Sequence, residues 1–196
     1  MRKRTIALIT TVVSAALVLT GCTQPGGPPG TDPGTGGTPP TSVPFDVNMA
    51  DQMFVMMMIP HHQQAIEMAD IVLEKEGVDQ RVLDLAQQIK DAQGPEIQIM
   101  EGWLDSWGVA FSMPGGMNHG DGMMSDDDMD DLEAADGPEA GKLFLEQMIV
   151  HHEGAIDMAR GAVNNGRNSD VIALAEQIIA TQADEIATMQ ELLTTI

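Results

Sequence analysis

Residues 57–69 read "MMIPHHQQAIEMA" and residues 148–159 read "MIVHHEGAIDMA". Between Met58–Ala69 and Met148–Ala159, at an offset of 90, eight of twelve positions are identical, including both histidines. A second match follows at an offset of 89. There "AQQIKDAQGPEIQIM" (86–100) faces "AEQIIATQADEIATM" (175–189), with seven of fifteen positions identical, among them Gln93/Gln182, Glu96/Glu185 and Met100/Met189. Chance likeness between two apolar helices does not preserve histidine, glutamine and glutamate together. The chain therefore holds two copies of one unit.

Each copy has helical rather than alternating periodicity. The spacing predicts a helix from about Met49 to Glu76, stopped near Gly77, and a partner from Asp79 as N-cap to Trp107, stopped at Gly108. The second copy predicts helices from about Pro138 to Asn164 and from Ser169 to the C-terminus. Short turns make each pair an antiparallel hairpin, and neither hairpin buries its apolar stripe alone. The expected fold is all-α: a four-helix bundle of two duplicated hairpins, over residues 45–196, with repeats at about 49–107 and 138–196.

A turn of 100° per residue decides which side chains meet. Phe54, Met58, His61, His62, Ala65, Ala69, Val72 and Leu73 share one face of the first helix, and Glu67 falls opposite, as does Asp157 in the second copy. On the partner helix the inner face carries Val82, Ile89, Gln93, Glu96, Ile97, Met100, Trp103 and Trp107. A buried carboxylate without a partner is expensive, so Glu96 is expected to meet His61 or His62. The duplication brings four histidines and two carboxylates toward one centre. Two readings of that centre stand open: a His–Glu network that fixes register, or a metal site on His61, His62, His151 and His152. Met58 and Met148, one turn before the second histidine of each doublet, are candidate sulfur ligands. Glu96, Glu185, Gln93, Gln182, Met68 and Met158 are candidates to support or join the set. Pro60 and Gly94-Pro95 occur only in the first copy and are expected to kink its helices.

Residues 108–137 connect the copies, and 112–137 read "SMPGGMNHGDGMMSDDDMDDLEAADG". This is long for a helix–helix connection. Met113, Met117, His119, Met123, Met124 and Met129 gather there among glycine and aspartate. An acidic connector and a soft-metal site at Met117, His119, Met123 and Met124 are both compatible with that pattern, since thioether with imidazole suits Cu(I) or Ag(I). The "SDDDMDDLE" run also suits a short capped helix.

The chain opens with Arg2, Lys3 and Arg4 before an apolar run, Ile6 to Leu19, too short to span a bilayer comfortably. With Leu19-Thr20-Gly21-Cys22 this resembles a bacterial lipoprotein signal over residues 1–21, with lipidation expected at Cys22, the one cysteine in the sequence. Residues 22–44 are almost all Gly, Pro and Thr and are expected to be a disordered tether. Without residues 1–21 the chain keeps six basic residues against thirty acidic, a formal charge of −24. That charge opposes binding to nucleic acid or an anionic lipid surface and attracts cations. The expected location is extracytoplasmic, anchored to the bacterial cell membrane.

Together "MMIPHHQQAIEMA", "AQGPEIQIMEGWLDSWG", "GMMSDDDMDDL" and "FLEQMIVHHEGAIDMA" resemble the domain of unknown function 305 family, which includes CopM-type copper-binding proteins. The resemblance covers residues 46–196. It implies a ferritin-like helical bundle and, through the copper-binding members, capture or buffering of copper outside the cytoplasm. The family motif falls on Met58, His61, His62 and Met68, and on Met148, His151, His152 and Met158. Where relatives often carry Phe-Asp before the second motif, this chain has Ala140-Gly141; Asp51 keeps the equivalent place in the first copy. The expected function is thus a non-enzymatic protein binding copper, Cu(I) in preference, or silver, with a copper exporter or cuproenzyme as partner. A ferritin-like di-metal oxidase is the competing class, but it needs Glu-x-x-His motifs that the sequence lacks. A structural lipoprotein with His–Glu core networks is the other.

Overall fold

Asn48 accepts a hydrogen bond from the backbone N–H of Asp51, whose carboxylate accepts in return from Asn48 N–H at 2.7 Å, a reciprocal cap that starts the first helix. The computed structural model describes residues 43–111 and 122–196, and among them five helices: α1 (Met49–Leu73), α2 (Gln80–Trp107), α3 (Asp126–Ala134), α4 (Gly137–Asn165) and α5 (Ser169–Leu193). The expected signal peptide, Cys22 and nearly all of the tether lie outside the described residues, as do Met113, Met117 and His119. Among the described residues no helix is long and apolar enough to cross a membrane.

The helix ends follow from local chemistry. Asp79 caps α2, and Gly108 ends it in a left-handed conformation (φ 65°) that other residues adopt at a cost. Ser125 and Asp128 form a second reciprocal cap on α3, whose first turn carries three aspartates against the positive end of the helix dipole. Asn168 caps α5 through two backbone N–H groups. Asp136 caps α4, which admits Pro138 in its first turn, where no helical hydrogen bond is lost. Both α1 and α2 run unbroken through Pro60 and Pro95, which lie inside them.

Hairpin α1–α2 meets hairpin α4–α5 along the α1–α4 seam, so α1 and α4 form the inner pair. The four long helices make the expected bundle, with α3 folded onto α1 and α4. Two apolar clusters fill it. One holds Ala65, Met68, Val72, Val82, Ile89, Phe144, Met148 and Met189; the other holds Phe54, Met58, Met100, Leu104, Ala155, Ala159, Leu174 and Ile178. Each cluster combines the C-terminal half of one inner helix with the N-terminal half of the other, so the repeat exchanges the two. Between them, at mid-helix on all four elements, lies a layer of His61, His62, Gln93, Glu96, His151, His152, Gln182 and Glu185, all buried.

Three positions expected on the inner face, Leu73, Ile97 and Trp103, are only partly buried, while Leu85, Ala86 and Leu104 are buried. The inner face of α2 drifts along the helix, because 3.6 residues per turn does not repeat in whole numbers. Trp103 instead stacks on Trp107, with ring centroids 6.2 Å apart.

The repeat is broken where the hairpins close on each other. Asp51 is fully buried and reaches the turn between α4 and α5, accepting from the backbone N–H groups of Arg167 (3.0 Å) and Asn168 (3.2 Å). Its counterpart is Gly141, where an added Cβ would sit 3.1 Å from Val78 Cγ1 in the turn between α1 and α2. One end is clasped by a carboxylate and the other by direct backbone approach. Replacing Asp51 by alanine leaves three backbone donors without their acceptor and removes a cap, so the unfolding free energy should fall by about 2–3 kcal/mol in urea titration. Asp51→Asn, which keeps an acceptor oxygen, should cost about half as much. An unchanged midpoint in both variants would show that the clasp contributes nothing.

Candidate metal centre

The doublets sit at mid-helix on the two inner elements, so all four imidazoles fall at one level of the seam. His61 and His151 face each other across it, ring centroids 3.7 Å apart and planes inclined at 40°. The second member of each doublet turns toward its own hairpin partner. His62 Nε2 lies 2.7 Å from Glu96 Oε2, and His152 Nε2 lies 2.8 Å from Glu185 Oε2. The expected meeting of Glu96 with a doublet histidine occurs through His62, and the repeat reproduces it.

The two pairs are not equal. The other oxygen of Glu96 accepts from Gln177 Nε2 at 3.3 Å, which ties α2 to α5. Among the described residues Glu185 Oε1 has no hydrogen-bond partner. The counterpart of Gln177 is Gln88, equally exposed, which makes no such bond to Glu185.

Among the described residues several buried polar atoms of the layer make no hydrogen bond: Nδ1 of His62 and of His152, both amide atoms of Gln93 and Oε1 of Gln182. The ring nitrogens of His151 have only the His61 backbone close by and form no full bond with it. Each such atom costs about 1–3 kcal/mol unless something else satisfies it. In a neutral His62 or His152 whose Nε2–H donates to the carboxylate, Nδ1 is a bare lone pair. A carboxylate on one imidazole nitrogen is also what fixes the other for metal ligation. Burial, reinforced by the neighbouring His61, His152 and His62, holds His151 well below the ordinary histidine pKa of 6.5, so its ring is neutral at pH 7. Among the described residues no three His, Cys, Asp or Glu side chains group as a cation site. The layer therefore offers donors in pairs, a pattern that fits ions content with two or three soft or borderline ligands rather than octahedral oxygen.

Thioethers lie on both sides of the layer. Met68, Met148 and Met189 are in one apolar cluster; Met58 and Met100 are in the other, with the half-buried Met158 packed against it. Met58 and Met148 stand three and four residues before the histidines of their doublets, within side-chain reach along the helix.

Of the connector candidates, Met124 is buried in the first cluster beside the fully buried Leu132, with Met129 packed against it. The methionine enrichment here is thus partly core packing, because α3 folds back onto the seam. Met123 is half-buried, and Met117 and His119 lie outside the described residues. Sequence reasoning missed how this strand of connector is seated. Gln64 donates to Met124 O (2.9 Å) and accepts from Met124 N–H (2.8 Å), and Gln147 donates to Asp128 O. Opposite Gln64 in the repeat is Gly154, and it is against Gly154 and Val150 that Gly122 (φ 79°) packs, with no room for a Cβ. The mismatches inside the near-identical phrases, Gln64/Gly154 and Met57/Gln147, were the available signal.

The domain of unknown function family DUF305 matches residues 51–193, and the chain belongs to that family. No curated protein sequence matches it. Among solved structures it is similar to a DUF305 fragment from Deinococcus radiodurans (32% identity, TM-score 0.71, 76% of this chain and 99% of that one). It is also similar to a predicted secreted DUF305 protein from Streptomyces coelicolor (35%, TM-score 0.70, 74% and 91%). A third is CopM in its Cu(I)-bound form (31%, TM-score 0.64, 75% and 97%); CopM also matches in Cu(II)-bound, silver-bound and apo forms.

The neutral His151 sets a pH dependence in the chelator-treated chain. Above pH 6.5 histidine is neutral folded or unfolded, and the stability is fully present. As pH falls below 6.5 the unfolded chain takes up a proton that the folded chain refuses, and stability declines toward the lowered folded pKa. The slope from one such proton is about 1.4 kcal/mol per pH unit. Urea titrations from pH 7 to 5 should show His151→Asn to be shallower by that amount. Parallel slopes would mean that His151 is protonated in the fold.

Proposed function

We propose that this protein is a non-enzymatic, extracytoplasmic metal-binding protein that captures copper as Cu(I), or silver as Ag(I), at the buried histidine layer. His61, His62, His151 and His152 supply imidazole nitrogen, and Met58 and Met148 supply sulfur. The observation that carries this reading is the set of ring nitrogens on His62, His151 and His152 that make no full hydrogen bond among the described residues, buried between two methionine-bearing clusters. It is supported by likeness to a protein solved with Cu(I), Cu(II) and silver. Glu96 and Glu185 hold the outer histidines in place, and the acidic surface raises the local cation concentration. The signal-like N-terminus and Cys22 fit a lipid-anchored form that buffers the ion or passes it to an exporter or cuproenzyme.

A second reading has its own observation. The two His–Glu bonds, with no three-ligand group among the described residues, suit a polar layer that orders the bundle without metal. The two separate in a Cu(I) titration of the full chain under a competing chelator, beside a variant with all four doublet histidines changed to alanine and checked for folding. Wild type should bind tightly, the folded variant at least a hundredfold more weakly. Free Cu(I) at a hundred times Kd should also add about 2.7 kcal/mol of stability to the wild type alone. Equal binding by both, or none by either, overturns the proposal and leaves the network reading.

A further inference from the structure

We propose that the open groove between the first half of α1 and the last third of α4 is a separate surface site for a soft monovalent ion, Cu(I) or Ag(I), held by the thioethers of Met53, Met57 and Met158. The three line one groove of about 320 Å³, with Phe54 at its base and Asp157 at its rim. Met53 and Met57 are one turn apart on α1, and Met158 reaches in from α4. A thioether is a soft ligand, and three from two rigid helices make a donor set for a soft cation. The Asp157 carboxylate at the rim is paired with Arg160 at 2.9 Å and is not counted among the donors.

Met158 packs in part against the second apolar cluster, but core packing does not account for Met53 and Met57, as the other end of the seam shows. The repeat places Leu143, Gln147 and Met68 at the equivalent positions. That end is roofed by α3, whose Leu132 is fully buried, and Asp128 O accepts from the Gln147 amide. Met68 there is fully buried, while Met158 is only half-buried. Where the groove is roofed, two of the three thioethers are absent. Where it is open, all three are present, and Met53 stays 39% exposed.

The donors also continue inward. Met53, Met57 and His61 follow at four-residue intervals on α1, falling from 39% exposure through half-burial to 1%. On α4, Met158 lies two turns beyond His151, which faces His61. The groove is the outer end of a run of soft donors that reaches the histidine layer; at the roofed end the methionines are instead enclosed in the first apolar cluster. The surface site stands on its own residues; only its connection to the layer rests on the function proposed above.

Ag(I), which undergoes no redox change in the assay, is the probe. The full chain labelled with methyl-¹³C methionine is titrated with Ag(I), with signals assigned by single Met→Leu variants. The Met53, Met57 and Met158 methyl signals should shift together within the first equivalents. The triple variant Met53→Leu/Met57→Leu/Met158→Leu, a nearly volume-conserving change, should keep its melting temperature and bind one ion fewer. The four-histidine variant should keep the three methyl shifts. If that variant binds like wild type while the triple variant loses one ion, the buried reading fails and the groove site stands. Unmoved methyl signals in wild type, or full stoichiometry in a folded triple variant, overturn the groove site. Should the triple variant not fold, the wild-type shifts decide.

Discussion

Four imidazoles and two carboxylates buried at one level make a demand that the rest of the bundle has to meet. Apolar clusters tolerate small sliding of one helix on another, since one methyl group replaces another at little cost. A His–Glu contact at 2.7 Å does not. Shifting α2 along α1 by one residue swings Glu96 about 100° around its helix and leaves a buried carboxylate against hydrocarbon. The two His–Glu pairs therefore set the register within each hairpin, and the His61–His151 contact sets the register between them. The apolar clusters above and below supply the driving force, but the polar layer chooses which of many similar packings is formed.

The price of that choice is visible in the atoms left without partners. A layer evolved only to fix register would be cheapest if every nitrogen were bonded, and among the described residues this one is not: neither ring nitrogen of His151 makes a full hydrogen bond, and Glu185 Oε1 makes none. The inequality of the two halves points the same way. Gln177 completes Glu96, and no described residue completes Glu185. The described difference between the halves lies in hydrogen bonding around the carboxylates and in how the connector is seated.

Much of this was legible in the sequence because a duplication is its own alignment. The repeated His-His doublet, with Gln and Glu recurring 89 positions on, gave the helical hairpins, the inner faces and the meeting of doublet with glutamate. Caps at Asp79 and Gly108 were readable from residue type alone. What was not readable involves contacts that no periodicity encodes. Asp51 looked like a motif residue of uncertain use, and its burial against the N–H groups of Arg167 and Asn168 depends on a turn 116 residues away. The seating of Met124 on Gln64 likewise needs the chain to fold back from α3. That Met124 and Met129 pack into or onto the first cluster was not readable either, because composition reports polarity, not which residues a connector turns inward.

The asymmetric clasps have a consequence for how such a chain arose and how it avoids pairing wrongly. Two copies of a hairpin that bury their stripes on each other have the geometry of a symmetric dimer made permanent by fusion. A dimer of first hairpins from separate chains would now set the Asp51 side chain where Gly141 stands, directly against Val78. A dimer of second hairpins would lack the carboxylate that closes the α4–α5 turn. Each half has become the specific complement of the other. Pairing of like hairpins from separate molecules is thereby discouraged at the same two positions that hold one molecule shut.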